Sequence, residues 1–304
     1  GGCHFAGRGS TVSRELDDRQ RLEQRLTTQY QKAIWKPFMR AIRNYELLEP
    51  GDRIAVCISG GKDSMLLGKL MQLLQRMHTI PFEVVYLSMD PGYHPNNRAL
   101  LLQNAEHLGL PLELFDTNVF RVANRQEKHP CYLCARMRRG HLYAKAKELG
   151  CNKIALGHHF NDVIETTLMA MLYGGQLQGM LPRLKSKNFP GMELIRPLYC
   201  VREADIIAWG EQEQMQFLQC ACRFAQRAQE DQQLSRRKAT KELIATLMQS
   251  DPNVEKMIFH SIHKVQLDSF VSYTTHGTEH SFLEALHASE ADIRQELDEK
   301  EALK

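Results

Sequence analysis

The sequence predicts an α/β fold: an open, mostly parallel sheet with helices on both faces and helical extensions at either end. Three observations predict it. Short apolar runs alternate with segments of helical period over roughly 170 residues. The motif Ser59-Gly60-Gly61-Lys62-Asp63-Ser64 joins one such run to the next helix. The unusual segments SGGKDS, SMDPGY and GHHFND all fall at carboxyl ends of predicted strands, where open α/β sheets bind ligands.

The elements follow in order. Residues 1–15 are expected to be a flexible N-terminus, since GGCHFAGRGS has no apolar h-region of a secretory signal. Residues 16–50 form an N-terminal helical segment, read as helix from about Leu16 to Tyr45, with Ile34, Phe38 and Ile42 at helical spacing before the turn Glu49-Pro50-Gly51-Asp52. Residues 51–225 form the expected catalytic domain. Its strands are RIAVCIS, PFEVVYLSMD, LPLELFD, NKIALGHH and MELIRPL; its helices start at Ser64, Asn96, Cys131, Asp162 and Glu203. Residues 226–273 are polar and helical, without a strand pattern. Residues 274–304 are expected to be an acidic amphipathic helix or mobile tail, with seven acidic and three basic residues from Ser281 onward.

Composition narrows the class. A chain of 304 residues, 43% hydrophobic and 25% charged, can bury a sizeable core, which argues against wholesale disorder. No stretch approaches the roughly 18 apolar residues of a membrane span, so no membrane partner is expected. The eight cysteines are unevenly spaced in a long chain, which favours a reducing cytoplasm over a disulfide framework. The net charge of +3 is too small to argue for nucleic acid by itself.

The hexapeptide at residues 59–64 has the chemistry of a phosphate site. Two glycines let backbone N–H groups approach a ligand. The following helix N-terminus adds unpaired donors and partial positive charge. Ser59 and Ser64 add hydroxyls, and Lys62 a full charge. It is not a Walker A loop, because Val56 stands where that motif needs glycine and Asp63 where it needs Ser or Thr. In strand–turn–helix context it resembles the PP-loop of the ATP pyrophosphatases, an adenine nucleotide alpha hydrolase-like fold. That likeness implies that Ser59, Gly60, Gly61, Lys62, Asp63 and Ser64 hold ATP, with Met89 at the end of the second strand beside the adenosine.

Cys131 and Cys134 begin a helix behind Pro130 and, three apart, share a face. Arg136, Arg138 and Arg139 behind them favour thiolates. A structural zinc site, a dithiol redox pair and an iron–sulfur cluster all fit this spacing. The order SGGKDS, CYLCARMRRG, KIALGHHFND, YGGQLQGM, then RPL and a later cysteine resembles the tRNA 2-thiocytidine synthetase family. More broadly, it resembles the iron–sulfur-dependent PP-loop tRNA thiolation enzymes, over roughly residues 30–270. The resemblance implies a [4Fe-4S] cluster on Cys131, Cys134 and Cys222, with Cys220 the neighbouring alternative. It implies Asp162, Arg138 and Lys62 as catalytic residues, Gly157 and His158 beside the ATP phosphates, and magnesium as the metal accompanying ATP. Where the family commonly has two adjacent acids, this chain has Asn161 before Asp162.

The expected activity is therefore ATP-dependent thiolation of C2 of a tRNA cytidine, with position 32 implied by the resemblance. A sulfur donor, either a cysteine desulfurase or free sulfide, and a homodimer are the expected partners beside tRNA. Arg136, Arg138 and Arg139; Arg183, Lys185 and Lys187; and Arg236, Arg237, Lys238 and Lys241 are candidate phosphate-binding patches for RNA. The rival readings are a PP-loop thiolase acting on a uridine or another acceptor, a lysidine-type enzyme, and a non-enzymatic iron–sulfur or nucleotide-binding RNA sensor.

Overall fold

The computed structural model describes residues 16–117, 130–218, 232–289 and 294–295, with the backbone alone of 130–136 and 232–234. Its contacts divide the chain into two units, residues 1–255 and 256–304.

The first unit carries the six-stranded sheet, in the order β3-β2-β1-β4-β6-β5. Its strands are β1 (Arg53–Cys57), β2 (Glu83–Asp90), β3 (Leu112–Asp116), β4 (Lys153–Ala155), β5 (Arg183–Lys185) and β6 (Glu193–Ile195). All neighbours are parallel except β5, which runs antiparallel to β6 at the edge. Strand order reverses between β1 and β4, and a crevice opens beyond the carboxyl ends of strands at such a switch point.

Alternation along β1 assigns its two faces. Ala55 and Cys57 pack with Tyr143 and Ala146 of α5 (Pro130–Glu148). Ile58, just past β1, meets α3 (Lys62–Arg76): a Cβ on Gly68 would lie 2.9 Å from Ile58 Cδ1 and 2.9 Å from Leu110 Cδ1. Helices therefore cover both faces. The remaining helices of this unit are α4 (Pro95–Leu108), α6 (Phe160–Gly174), α7 (Glu203–Gln212) and α8 (Gln232–Ser250), with α9 (Val254–Ser261) at its boundary. Helix α8 packs on α6.

The N-terminal helix expected over residues 16–45 is two helices. α1 (Asp18–Thr27) and α2 (Lys36–Asn44) flank a π-turn at Gln31–Trp35. Pro37 lies in the first turn of α2, where its missing N–H is one the helix could not have used. Lys69, wholly buried on α3, bonds Glu23 of α1, Gln72 and the Leu108 carbonyl, which ties the extension to the sheet layer.

Two strand pairings were not expected from the sequence. β5 was read as part of a basic patch, yet Arg183 pairs with Glu193 and Glu49 and is no free phosphate ligand. In the second unit, β7 (Ser272–Thr275) and β8 (Thr278–Ser281) form a hairpin where a helix or tail was expected, and residues 282–289 are helical. Its turn is His276-Gly277, both at positive φ, the demand of a two-residue hairpin loop.

At the amino end of the sheet, Lys153 is 1% exposed and donates to Asp52 Oδ2 at 2.7 Å and to the Leu47 carbonyl at 3.2 Å. Burial raises the Asp52 pKa, but Lys153, Asn152 and the Glu49 N–H outweigh it and hold the carboxyl below its ordinary value. A lowered carboxylate pKa stabilises the fold fully above the unfolded value, near pH 4, and the contribution is lost as pH falls through the folded one. Lys153→Met should therefore lower unfolding free energy at pH 7 by about 3 kcal/mol. Urea titration across pH should also show a shallower acid loss in the variant than in the wild type. An unchanged acid slope would count against this pairing.

Candidate active site

A cavity of about 320 Å³ opens at the switch point. It is lined by Ser59, Gly61, Asp63 and Ser64 of the glycine loop, by Met89 at the end of β2, and by Gly157, His158 and Asp162 beyond β4. Arg138, Arg139 and Leu142 of α5 close another side, with Cys57, Ile58 and Leu156 also in the wall. Nine residues expected from the sequence thus meet in one cavity: Ser59, Gly61, Asp63, Ser64, Met89, Arg138, Gly157, His158 and Asp162. Gly60 and Lys62 belong to the loop but not to the wall.

The loop is fixed by its own hydroxyls. Ser64 Oγ accepts from the Ser59 N–H at 3.1 Å and donates to the Gly61 carbonyl at 3.0 Å. Gly60 has φ +85, and a Cβ there would lie 2.5 Å from Leu218 Cδ1. The Leu218 N–H donates to the Gly60 carbonyl at 3.0 Å. Cys220 and Cys222 follow two and four residues later in sequence and lie outside the described residues. A Cβ at Gly157 would lie 3.1 Å from both the Asp63 carbonyl carbon and the Ser64 nitrogen, so glycine lets β4's exit press against the start of α3. Asp90 holds the β2 turn, accepting from the Gly92 and Tyr93 N–H groups and from Arg98.

Charge is concentrated behind the loop. Lys62 Nζ lies 3.0 Å from Glu203 Oε1 and 3.2 Å from Asp63 Oδ1. Burial pushes the Asp63 pKa up, only partly offset by His159 and Lys62, and its Oδ1 makes no hydrogen bond. Burial also works to raise Glu203, but hydrogen bonds from Lys241 and Lys62 hold its carboxyl down to about 2. Glu165 is pushed up to about 7 by burial, against the pull of Lys241 and Arg237. His159 caps α6: its N–H donates to Asp162 Oδ2 at 3.0 Å, and its Nδ1 accepts from the Asp162 N–H at 3.3 Å. Asp162 therefore both caps the helix and lines the cavity.

Three features were missed or misread in the sequence. Arg237 and Lys241, read as RNA contacts, face Glu165, Asp162 and Glu203 instead. Glu203 carried no local signal beyond its place in the first turn of a helix. Asn161 carries a structural bond that aspartate could not make: its amide donates to Glu255 Oε1 at 3.0 Å, while its Oδ1 accepts from the Glu203 N–H. Of the first basic cluster, Arg138 and Arg139 line the cavity.

Cys131 and Cys134 are the second and fifth residues of α5. Their positions share a helix face with 138 and 142, and Arg138 and Leu142 line the cavity. The two cysteine positions thus lie on the helix just before the residues that line the cavity. Among the described residues, no three His, Cys, Asp or Glu side chains are arranged to hold a metal ion. Cys57 is a buried wall residue whose thiol burial pushes up to about 12, which makes it inert.

A strand, a glycine turn and a helix N-terminus closing on the end of β4 define a nucleotide-binding α/β protein of the PP-loop class. A family model described as a PP-loop domain matches residues 23–244. A tRNA-cytidine(32) 2-sulfurtransferase of Geotalea uraniireducens (strain Rf4) is 37% identical over 263 residues, covering 83% of this chain and 99% of that protein. The protein of the same name from Neisseria meningitidis serogroup C (strain 053442) is 40% identical, over 59% of this chain and 57% of its own length. Among solved structures, the U34-tRNA thiolase NcsA from Methanococcus maripaludis, with its [4Fe-4S] cluster, superposes with TM-score 0.58 at 21% identity, over 75% of this chain and 77% of that one. That likeness shows the shared fold. The chain belongs to the tRNA 2-thiocytidine synthetase family of PP-loop proteins. No helix among the described residues is long and apolar enough to cross a membrane.

Glu203→Gln keeps the side chain's shape but removes the charge facing both Lys62 and Lys241. ATP-dependent AMP release should fall about tenfold, with the melting temperature little changed and partial recovery in Glu203→Asp. Unchanged turnover would show that Glu203 is only structural.

Proposed function

We propose that the chain replaces the C2 oxygen of a tRNA cytidine, at position 32, with sulfur at the expense of ATP. One observation carries this reading. The phosphate loop and the helix that bears Cys131 and Cys134 near its start border the same cavity.

The residues divide the work by chemistry. Backbone N–H groups of the loop and the start of α3 receive the phosphates, with the Ser59 and Ser64 hydroxyls beside them. Met89 lies where an adenosine would rest. Asp63 and Asp162 fit a magnesium ion, since that metal is held by one or two carboxylates together with substrate phosphates and waters. The cytidine O2 forms a bond to the α-phosphorus, and the bond to the β-phosphate oxygen breaks, releasing pyrophosphate. Lys62 and Arg138 neutralise the charge that develops on the phosphates. Sulfur at the sulfide level then bonds to C2 with its own electron pair, and the C2–O bond breaks with AMP as the leaving group; sulfur arriving as a desulfurase persulfide would first take two electrons from a thiol reductant. When bound, the cluster on Cys131, Cys134 and Cys222 supplies an open iron site for that sulfur. Arg138, one turn behind Cys134, lines the same cavity and would face both reacting groups.

A tRNA fits the remaining surface by shape and one exposed base, since Lys185, Lys187, Arg236 and Lys238 offer charge without a base-reading module. A sulfide or desulfurase donor, a second copy of the chain and a reducing cytoplasm complete the proposal.

Cys131→Ser, Cys134→Ser and Cys222→Ser should each lose the cluster's iron and visible absorbance and all thiolation of tRNA. ATP binding should remain within about twofold of wild type, because the loop is separate from the ligands. Cys220→Ser should keep iron and activity. Full activity in any of the first three variants, or loss in Cys220→Ser alone, would overturn the ligand set.

A further inference from the structure

Arg196, the first residue of the RPL segment, has no part in the chemistry above, yet it is 8% exposed. It follows β6, beside β4, and its backbone N–H donates to the Pro182 carbonyl at 2.9 Å. Its Nη1 donates to the Leu181 carbonyl, and its Nε lies 3.3 Å from His158 Nδ1. A guanidinium can only donate. Nδ1 of His158 must therefore present its lone pair, which puts the imidazole proton on Nε2.

His158 lines the cavity, and among the described residues its Nε2 makes no hydrogen bond. Gly157 brings the residue against the first turn of α3, where a phosphate would meet the loop amides. Burial, then the Arg196 charge, push the imidazole down to about 4; Asp162 opposes this, while Arg139 and Arg237 add to it. The ring is thus a neutral donor with one orientation. The other tautomer would turn a lone pair toward phosphate oxygens and repel them.

We infer that Arg196 is a positioning residue that locks His158 in the Nε2–H form, so that His158 donates a hydrogen bond to a phosphate oxygen of the nucleotide. The inference rests on the proposal that the cavity holds ATP, and the test separates the two. In 15N-histidine-labelled full-length protein, long-range 1H–15N spectra report which ring nitrogen carries the proton. Wild-type His158, assigned by loss of its signal in His158→Leu, should show Nε2–H and an unprotonated Nδ1. In Arg196→Met the Nε2–H form should give way to a mixture, and the ATP dissociation constant should rise about tenfold by calorimetry. Arg196→Lys should retain part of the affinity. Adding Arg196→Met to His158→Leu should weaken ATP binding no further.

A proton on Nδ1 in wild-type His158 would overturn the inference, and this measurement stands even if Arg196→Met fails to fold. Additive losses in the double variant would overturn it as well. Failure of the wild-type protein to bind ATP, with the expected tautomer seen, would instead overturn the nucleotide reading and with it the ligand named here.

Discussion

The site depends on one close approach. The backbone leaving β4 runs tightly against the first turn of α3, where a Cβ at residue 157 would crowd the Asp63 and Ser64 backbone at 3.1 Å. That contact brings the phosphate loop and His158 to one side of a single cavity, with Asp162 in the first turn of α6. It exists because β1 and β4 are neighbours in the sheet while their connections run to different helices. Helix α5, packed on the same strands, then brings Arg138, Arg139 and Leu142 to the opposite wall.

Electrostatics set the second constraint. Asp63, Asp162, Glu165 and Glu203 crowd behind a loop that must accept a polyanion. Unneutralised, they would repel it. Lys62, Arg237 and Lys241 offset them, the last two from α8. The C-terminal extension is therefore part of the active-site electrostatics, which its polar composition alone did not suggest. Asn161 fits the same logic, because a second carboxylate there would face Glu255.

Much of this was legible in the sequence, for definite reasons. The hexapeptide at 59–64 combines a glycine pair, hydroxyls and a lysine at a strand–helix junction, and each residue has a local job. Periodicity placed α3 to α7 to within a few residues because their apolar faces are long. What escaped were interactions between distant segments. Arg237 and Lys241 look like any surface charge until α8 is laid on α6. Arg183-Leu184-Lys185 is too short to show a strand period, and only its pairing with β6 makes it one. The hairpin at 272–281 did carry a signal, β-branched and aromatic residues around His276-Gly277, but the acidic residues beyond it dominated the reading.

The central claim is that one cavity joins ATP activation of a cytidine to sulfur delivery. It is tested most directly by nucleoside mass spectrometry of tRNA from cells lacking this protein, complemented with the wild-type chain or with Cys134→Ser. The account predicts that 2-thiocytidine disappears, returns with the wild-type chain, and stays absent with the variant. An unchanged 2-thiocytidine level in the deletion, or rescue by Cys134→Ser, would contradict it.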